Sequence, residues 1–166
     1  MSFLLYAFFS LDLFFVWYVD IREKKIPNMW SILNLLCFIL FLFIFPDLYL
    51  FKIKTFVIPV TFLIVGYFLF LLRIMGGGDS KFLFSFFLVV PFIYHEKLFE
   101  YLLYSTVIIG LFTFLTNMGS QFNKILMYAK SQQYHKIKEC FGTKFSYAPV
   151  ILIAWLWLGF KNNFFL

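Results

Sequence analysis

SFLLYAFFSLDLFFVWYV, residues 2–19, is an apolar run with a single charged residue, Asp12, and it decides the fold class. A helix that crosses the hydrocarbon core of a bilayer needs about 20 mainly apolar residues. Five further segments meet or approach that length: 29–45, 55–75, 81–94, 98–118 and 145–160. The run has no basic region before it and no small-residue cleavage site after it, so we interpret it as a membrane helix rather than a signal peptide.

The composition agrees with a membrane location. Of 166 residues, 63% are hydrophobic and only 13% are charged, whereas soluble domains have about 25% charged residues. We therefore predict an all-α polytopic membrane protein with six transmembrane helices, which forms one domain over residues 1–166. The fourth segment is short and contains Pro91, so a re-entrant or strongly tilted segment is the alternative there. Cys37 and Cys140 have no partners at metal-ligand spacing, and we predict no disulfide, metal site or cofactor.

The basic residues predict the orientation. Ten of the fourteen lie in the loops after segments one, three and five, namely Arg22, Lys24, Lys25, Arg73, Lys81, Lys124, Lys130, Lys136, Lys138 and Lys144. Loops rich in lysine and arginine face the cytoplasm, which places both termini on the non-cytoplasmic side of the cell membrane. Because the net charge of +6 arises in these loops, we do not expect nucleic acid as a partner. The longest loop, 119–144, predicts either a basic amphipathic helix on the cytoplasmic surface or a solvated loop.

Two aspartates lie at corresponding segment ends. Asp20 follows segment one and opens DIREKKIPN, residues 20–28, and Asp79 follows the three glycines Gly76, Gly77 and Gly78 ahead of segment four. The predicted orientation places both acids at the cytoplasmic edge of the membrane. Placing an acidic side chain at a membrane edge costs free energy, and the chain has only eight acidic residues. We therefore expect one site built from two helices.

Paired carboxylates predict a specific chemistry. Two carboxyl groups within hydrogen-bonding reach share one proton and titrate as a unit. The ionised group can deprotonate water while the protonated group donates to a carbonyl oxygen or a leaving amine, which is aspartic proteolysis. The glycines would let an extended peptide approach Asp79 closely. The alternative is a flexible turn in which Asp79 caps a helix.

The order of these motifs resembles the type IV prepilin peptidase family, the GxGD aspartyl proteases of membranes. In that family a first aspartate precedes a basic stretch ending in a pattern such as Ile26-Pro27-Asn28, and a second aspartate ends a Gly-x-Gly-Asp motif, often with a lysine such as Lys81 two residues later. Phe145-Ser146-Tyr147-Ala148-Pro149 is similar to the proline-containing start of the family's last helix. The chain has no CxxC motif like those of the methylating members, so we expect no methyltransferase activity.

The resemblance implies that Asp20 and Asp79 are the catalytic pair. It also implies that the surrounding residues shape the substrate site, and these are Gly76, Gly77, Gly78, Lys81, Arg22, Pro27, Asn28 and Pro149. The implied substrates are prepilin-like or pseudopilin-like proteins with one hydrophobic helix in the bilayer, cut after a short basic leader that ends in glycine.

Other interpretations stay open. A small proton-coupled transporter or channel could use Asp12, Asp20 and Asp79 as a proton path, and an inactive assembly factor could bind pilin-like helices without cutting them. Asp12 could equally form a structural hydrogen bond to a neighbouring helix. Arg22 could serve only as a topology signal, and Lys81 as an anchor at the lipid headgroups.

Overall fold

A computed structural model of the protein describes residues 3–49, 51–72, 75–130 and 146–164. Its helices are α1 (Phe3–Glu23), α2 (Asn28–Ile44), α3 (Ile53–Leu71), α4 (Gly77–Val89), α5 (His95–Lys130) and α6 (Ala148–Lys161). A 3₁₀ turn, Phe92–Tyr94, joins α4 to α5. The described ranges contain no strand, so the all-α prediction is confirmed for them.

Three of the described helical stretches are long and apolar enough to cross a membrane. They are Phe3–Glu23, Ile53–Leu71 and Phe92–Phe122, and the apolar helices α2 and α6 are shorter. Many large apolar side chains face outward on these helices, and Phe43 is 82% exposed. Lipid tails can cover such a surface, whereas water cannot do so favourably. The chain therefore has the surface of a membrane protein, while six spans and the position of the termini stay predictions.

The helices pack in two groups of three. Helix α4 packs against α2 and α3, and α6 packs against α1 and α5. The indole ring of Trp155 on α6 joins the groups. It stacks on Tyr6 of α1 at a centroid distance of 5.2 Å and meets the ring of Phe86 on α4 edge-on at 5.6 Å. All three side chains are almost fully buried, so the core lies where α1, α4 and α6 meet.

Helix α4 is shorter than the predicted fourth segment, 81–94. It has 13 residues and is therefore about 20 Å long, less than the roughly 30 Å of bilayer hydrocarbon. It ends just before Pro91, because proline lacks a backbone N–H and restricts the residue before it. Buried carbonyl groups at a helix end need partners. The Tyr49 hydroxyl donates to the Val89 oxygen at 2.7 Å, and His95 Nε2 donates to the Val90 oxygen at 2.8 Å.

Helix α5 is longer than its predicted segment, 98–118. Its 36 residues span about 54 Å, and it continues through Gly119 to Lys130. Residues 119–130, the first part of the predicted cytoplasmic loop, therefore continue α5, while a surface helix or a solvated loop over 119–144 stays a prediction. The remainder of that loop, 131–145, lies outside the described residues.

Candidate active site

Asp20 lies in the last turn of α1 and is only 2% exposed. Its Oδ2 atom accepts a hydrogen bond from the Ser146 hydroxyl and another from the backbone N–H of Ala148, at 3.2 Å. Ala148 is the first residue of α6. The backbone N–H groups at a helix start lack helical partners and interact favourably with negative charge. Asp20 therefore sits where α6 can stabilise a carboxylate.

Asp79 lies in the first turn of α4 and is 7% exposed. Its Oδ2 atom accepts a hydrogen bond from the Gly76 N–H at 3.0 Å. The Asp79 carboxyl group thus caps the N-terminus of α4, which is the alternative role that the sequence analysis considered for this residue. A capping role and a chemical role are compatible, because one oxygen atom suffices for the cap.

The two carboxyl groups are close enough to influence each other. Asp79 lies in the first turn of α4, outside the three stretches that are long and apolar enough to cross a membrane. Burial and, to a smaller extent, the negative charge of Asp20 raise the pKa of the Asp79 carboxyl group, and the hydrogen bond from Gly76 lowers it, with a net pKa of about 6. The structure therefore brings together two buried acids that are 59 residues apart in the chain.

Gly78 holds the ends of α1 and α4 side by side. The link between α1 and α2 passes directly over it, and a Cβ atom built on Gly78 would overlap the carbonyl oxygen of Ile26. Only glycine permits this approach of two backbones. At Gly76 an added Cβ would lie 2.8 Å from Asp79 Oδ2, which is also too close. Both glycines are thus needed for the position of the second acid.

Ser146 and Tyr147 also belong to the site, although only Pro149 of this motif was predicted to shape it. Tyr147 places its hydroxyl 3.1 Å from Oγ1 of Thr106 on α5. Burial raises the pKa of the Tyr147 phenol, and the charge of Asp79 also raises it. A signal was available, because serine shortly before a proline marks a helix start. That pattern at Ser146 and Pro149 predicts free N–H groups at this end of α6.

The other predicted site residues lie around the two acids. Pro27 precedes α2 and Pro149 is the second residue of α6, and both are half-buried. Arg22, Asn28 and Lys81 are exposed. The Arg22 guanidinium lies 5.4 Å from the ring centre of Tyr18. The roles predicted for these five residues stay predictions.

An apolar groove of about 700 Å³ opens between α3 and α4. Side chains between Leu63 and Phe70 on α3 form one wall, and Gly77, Ser80 and Lys81 of α4 form the other. The α4 wall begins within one turn of Asp79. The groove therefore leads from the outer surface of the helices to the edge where the acids lie.

Comparison of the chain with protein-family models, with curated proteins and with solved structures found no match. In the described ranges, no group of three or more His, Cys, Asp or Glu residues is placed to hold a metal ion. The functional argument therefore rests on the geometry of the two acids and on the sequence motifs around them.

Proposed function

We propose that the protein is a membrane-embedded aspartyl endopeptidase that removes the short basic leader of prepilin-like or pseudopilin-like proteins. The observation that supports this most directly is the burial of two acids, Asp20 and Asp79, on the ends of α1 and α4 that the contact of Gly78 with Ile26 holds side by side. If the Asp79 carboxyl group served only to cap α4, no second buried acid would be required near it. The Gly-x-Gly-Asp and Ile-Pro-Asn motifs favour the prepilin peptidase type, at the cytoplasmic edge of the cell membrane.

The surroundings of the acids suggest a division of roles. Ser146 and the start of α6 donate to Asp20, and such donors favour a negatively charged group. The raised pKa of Asp79, about 6, leaves a fraction of this carboxyl group protonated at neutral pH and most of it protonated below pH 6. In the proposed reaction Asp20 takes a proton from water as the oxygen attacks the peptide carbonyl carbon, and Asp79 donates its proton to the carbonyl oxygen. The intermediate then collapses: Asp20 gives its proton to the leaving amine, Asp79 takes a proton back from one hydroxyl of the intermediate, the C=O bond re-forms and the C–N bond breaks.

The groove between α3 and α4 fits the substrate class. A single apolar helix lying against the α3 wall would be shielded from water by the bilayer. Its end would reach Gly77 and Ser80, one turn or less from Asp79. The leader junction would then lie at the membrane edge, where the glycines leave the backbone of α4 accessible.

A cleavage assay tests the proposal. The protein is reconstituted in nanodiscs with candidate prepilins, and the leader is followed by mass spectrometry. We expect Asp20→Asn and Asp79→Asn each to lower the cleavage rate at least about a hundredfold, the size typical of losing a general acid or base. Asp47→Asn is the matched control, because Asp47 is exposed in the link between α2 and α3. Intact substrate with the wild type, across several genuine prepilin-like partners, would refute the peptidase. Cleavage that survives Asp79→Asn would refute the dyad.

A proton-coupled transporter is the second candidate, and one observation favours it. Asp12 is buried within α1, and its Oδ2 atom has no hydrogen-bond partner among the described residues. Acids inside membrane helices often belong to proton paths. Proton flux into liposomes, followed with a pH-sensitive dye and abolished by Asp12→Asn, would support the transporter, whereas flux equal to that of empty liposomes would exclude it.

A further inference from the structure

Tyr147 is the residue from which α6 starts. Its carbonyl oxygen accepts hydrogen bonds from the backbone N–H groups of Val150 and Ile151, at 3.1 and 3.3 Å. Tyr147 is thus the N-cap residue of α6. The first N–H groups of a helix have no partners within it, so the position of the N-cap residue decides where these donors point.

The two donors to Asp20 flank Tyr147 in the chain. Ser146 directly precedes it and donates through its hydroxyl, and Ala148 directly follows it and donates through its backbone N–H. Both donate to the same atom, Oδ2 of Asp20. Adjacent residues are joined by planar peptide units that hold their Cα atoms about 3.8 Å apart. A displacement of Tyr147 therefore displaces both donors.

The side chain of Tyr147 is held by α5. Its hydroxyl lies 3.1 Å from Oγ1 of Thr106, and Thr106 Oγ1 also lies 2.6 Å from the carbonyl oxygen of Leu102. A carbonyl oxygen can only accept, so the single hydroxyl proton of Thr106 is donated to Leu102. The Tyr147 hydroxyl must therefore donate to Thr106, and we call this hydrogen bond the α5 tether.

A second hydroxyl of α5 fixes the same end of α6. Ser105 is fully buried and donates to the carbonyl oxygen of Val150 at 3.0 Å. Val150 lies in the first turn of α6. Ser105 and Thr106 are adjacent, so one turn of α5 contacts both the N-cap residue and the first turn of α6. Helix α5 therefore sets the orientation of the helix end that meets Asp20.

We propose that Thr106 and Tyr147 are positioning residues, which tie the donor segment, residues 146–148, to α5 and thereby aim its two donors at Asp20. The proposal rests on the proposed peptidase, in which Asp20 takes the proton from water. A carboxylate whose Oδ2 atom is fixed by two donors presents its other oxygen in a fixed direction. Such geometry matters for the rate, because a misplacement of about 1 Å can cost about a hundredfold.

Single variants test the tether with a prepilin-like substrate in nanodiscs. Thr106→Val and Tyr147→Phe remove the same hydrogen bond from its two sides, and we expect each to lower kcat about tenfold with KM within about twofold of wild type. Thr106→Ser keeps the hydroxyl and should restore kcat to within about twofold of wild type. Thr113→Val is the matched control, because the Thr113 hydroxyl donates to the Ile109 and Gly110 oxygens of its own helix. It should cut at the wild-type rate.

A double variant separates positioning from a general loss of packing. If the tether acts through Ser146 and Ala148, Tyr147→Phe has less left to disturb once Ser146→Ala has removed one donor. The double variant should therefore cut less than about thirtyfold more slowly than wild type, whereas independent effects would multiply to about a hundredfold. Multiplied effects would overturn the positioning role.

A measurement without substrate keeps the tether separate from the peptidase. The chain has four aspartates, so protein labelled with ¹³C at the aspartate carboxyl groups gives four NMR signals in detergent micelles. The Asp20 signal is the one lost in Asp20→Asn. We expect Thr106→Val and Tyr147→Phe to move this signal, whereas Thr106→Ser and Thr113→Val should leave it in place.

The NMR signal of Asp20 decides between the outcomes. An unmoved signal in both Thr106→Val and Tyr147→Phe would overturn the proposal even if cleavage slows, because the slowing would then not act through Asp20. A moved signal in these two variants, together with a wild type that cuts no prepilin-like substrate, would support the tether and refute the peptidase. The two proposals can therefore fail separately.

Discussion

Gly78→Ala tests how closely the position of Asp79 depends on the contact between two backbones. The added methyl group would overlap the carbonyl oxygen of Ile26, which is main chain and cannot rotate away. Overpacking of this kind costs about 1–3 kcal/mol. The strain is relieved by moving α4 away from the link between α1 and α2, and this separates Asp79 from Asp20. Because a misplacement of about 1 Å can cost about a hundredfold in rate, we expect cleavage to fall about ten- to hundredfold.

Gly119→Ala is the control, because nothing lies within 4 Å of its added methyl group on α5. The assay combines the cleavage rate of a prepilin-like substrate with thermal unfolding of both variants in the same detergent. We expect Gly119→Ala to stay close to wild type in both measurements. Gly78→Ala should unfold at a lower temperature and cut more slowly while still folded. Equal behaviour of the two variants would refute the argument that Gly78 sets the spacing of the acids.

Three further outcomes follow. Ser146→Ala should slow cleavage about tenfold by removing one charge-assisted hydrogen bond, while Ser120→Ala, on the exposed face of α5, should not. Because folding raises the Asp79 pKa to about 6, its stabilising effect is full below pH 4 and is lost as pH rises through 6. Between pH 4.5 and 7.5, melting curves should show that the wild type loses more stability than Asp79→Asn, by on the order of 2 kcal/mol. Gly66→Ala should lower the melting temperature, since its methyl group would overlap α4, whereas Gly110→Ala, with open space around it, should not.

The sequence predicted the helices well where a single apolar run determined them. The observed α2, Asn28–Ile44, differs by one residue at each end from the predicted 29–45. Prediction was weaker where contacts with other parts of the chain determine where a helix ends. Helix α4 ends at Val89, just before Pro91, and one partner of its terminal carbonyl groups is Tyr49, which lies 40 residues away in the chain. Helix α5 continues past Gly119 although its apolar run has ended, since polar residues can extend a helix beyond the lipid.

The candidate site was also predictable only in part. The motifs pointed to Asp20 and Asp79, and loop charge assigned both to one membrane face. The partners of Asp20 could not be inferred from spacing, because Ser146 and Ala148 are more than 120 residues away. The contact of Gly78 with Ile26 depends on how the link after α1 folds back, which local propensity does not determine. Long-range packing therefore supplied the details on which the proposed chemistry depends.

The shortness of α4 has a consequence for how the protein reaches its membrane. A helix of 13 residues that contains Asp79, Ser80 and Lys81 is a poor independent substrate for insertion by the translocation machinery. Its neighbour α3 is strongly apolar, and Gly66 lets the two helices approach at Ser80. We expect the two to enter the bilayer together as a helical hairpin. Correct placement of Asp79 would then depend on α3, a helix that contributes no acidic residue to the site.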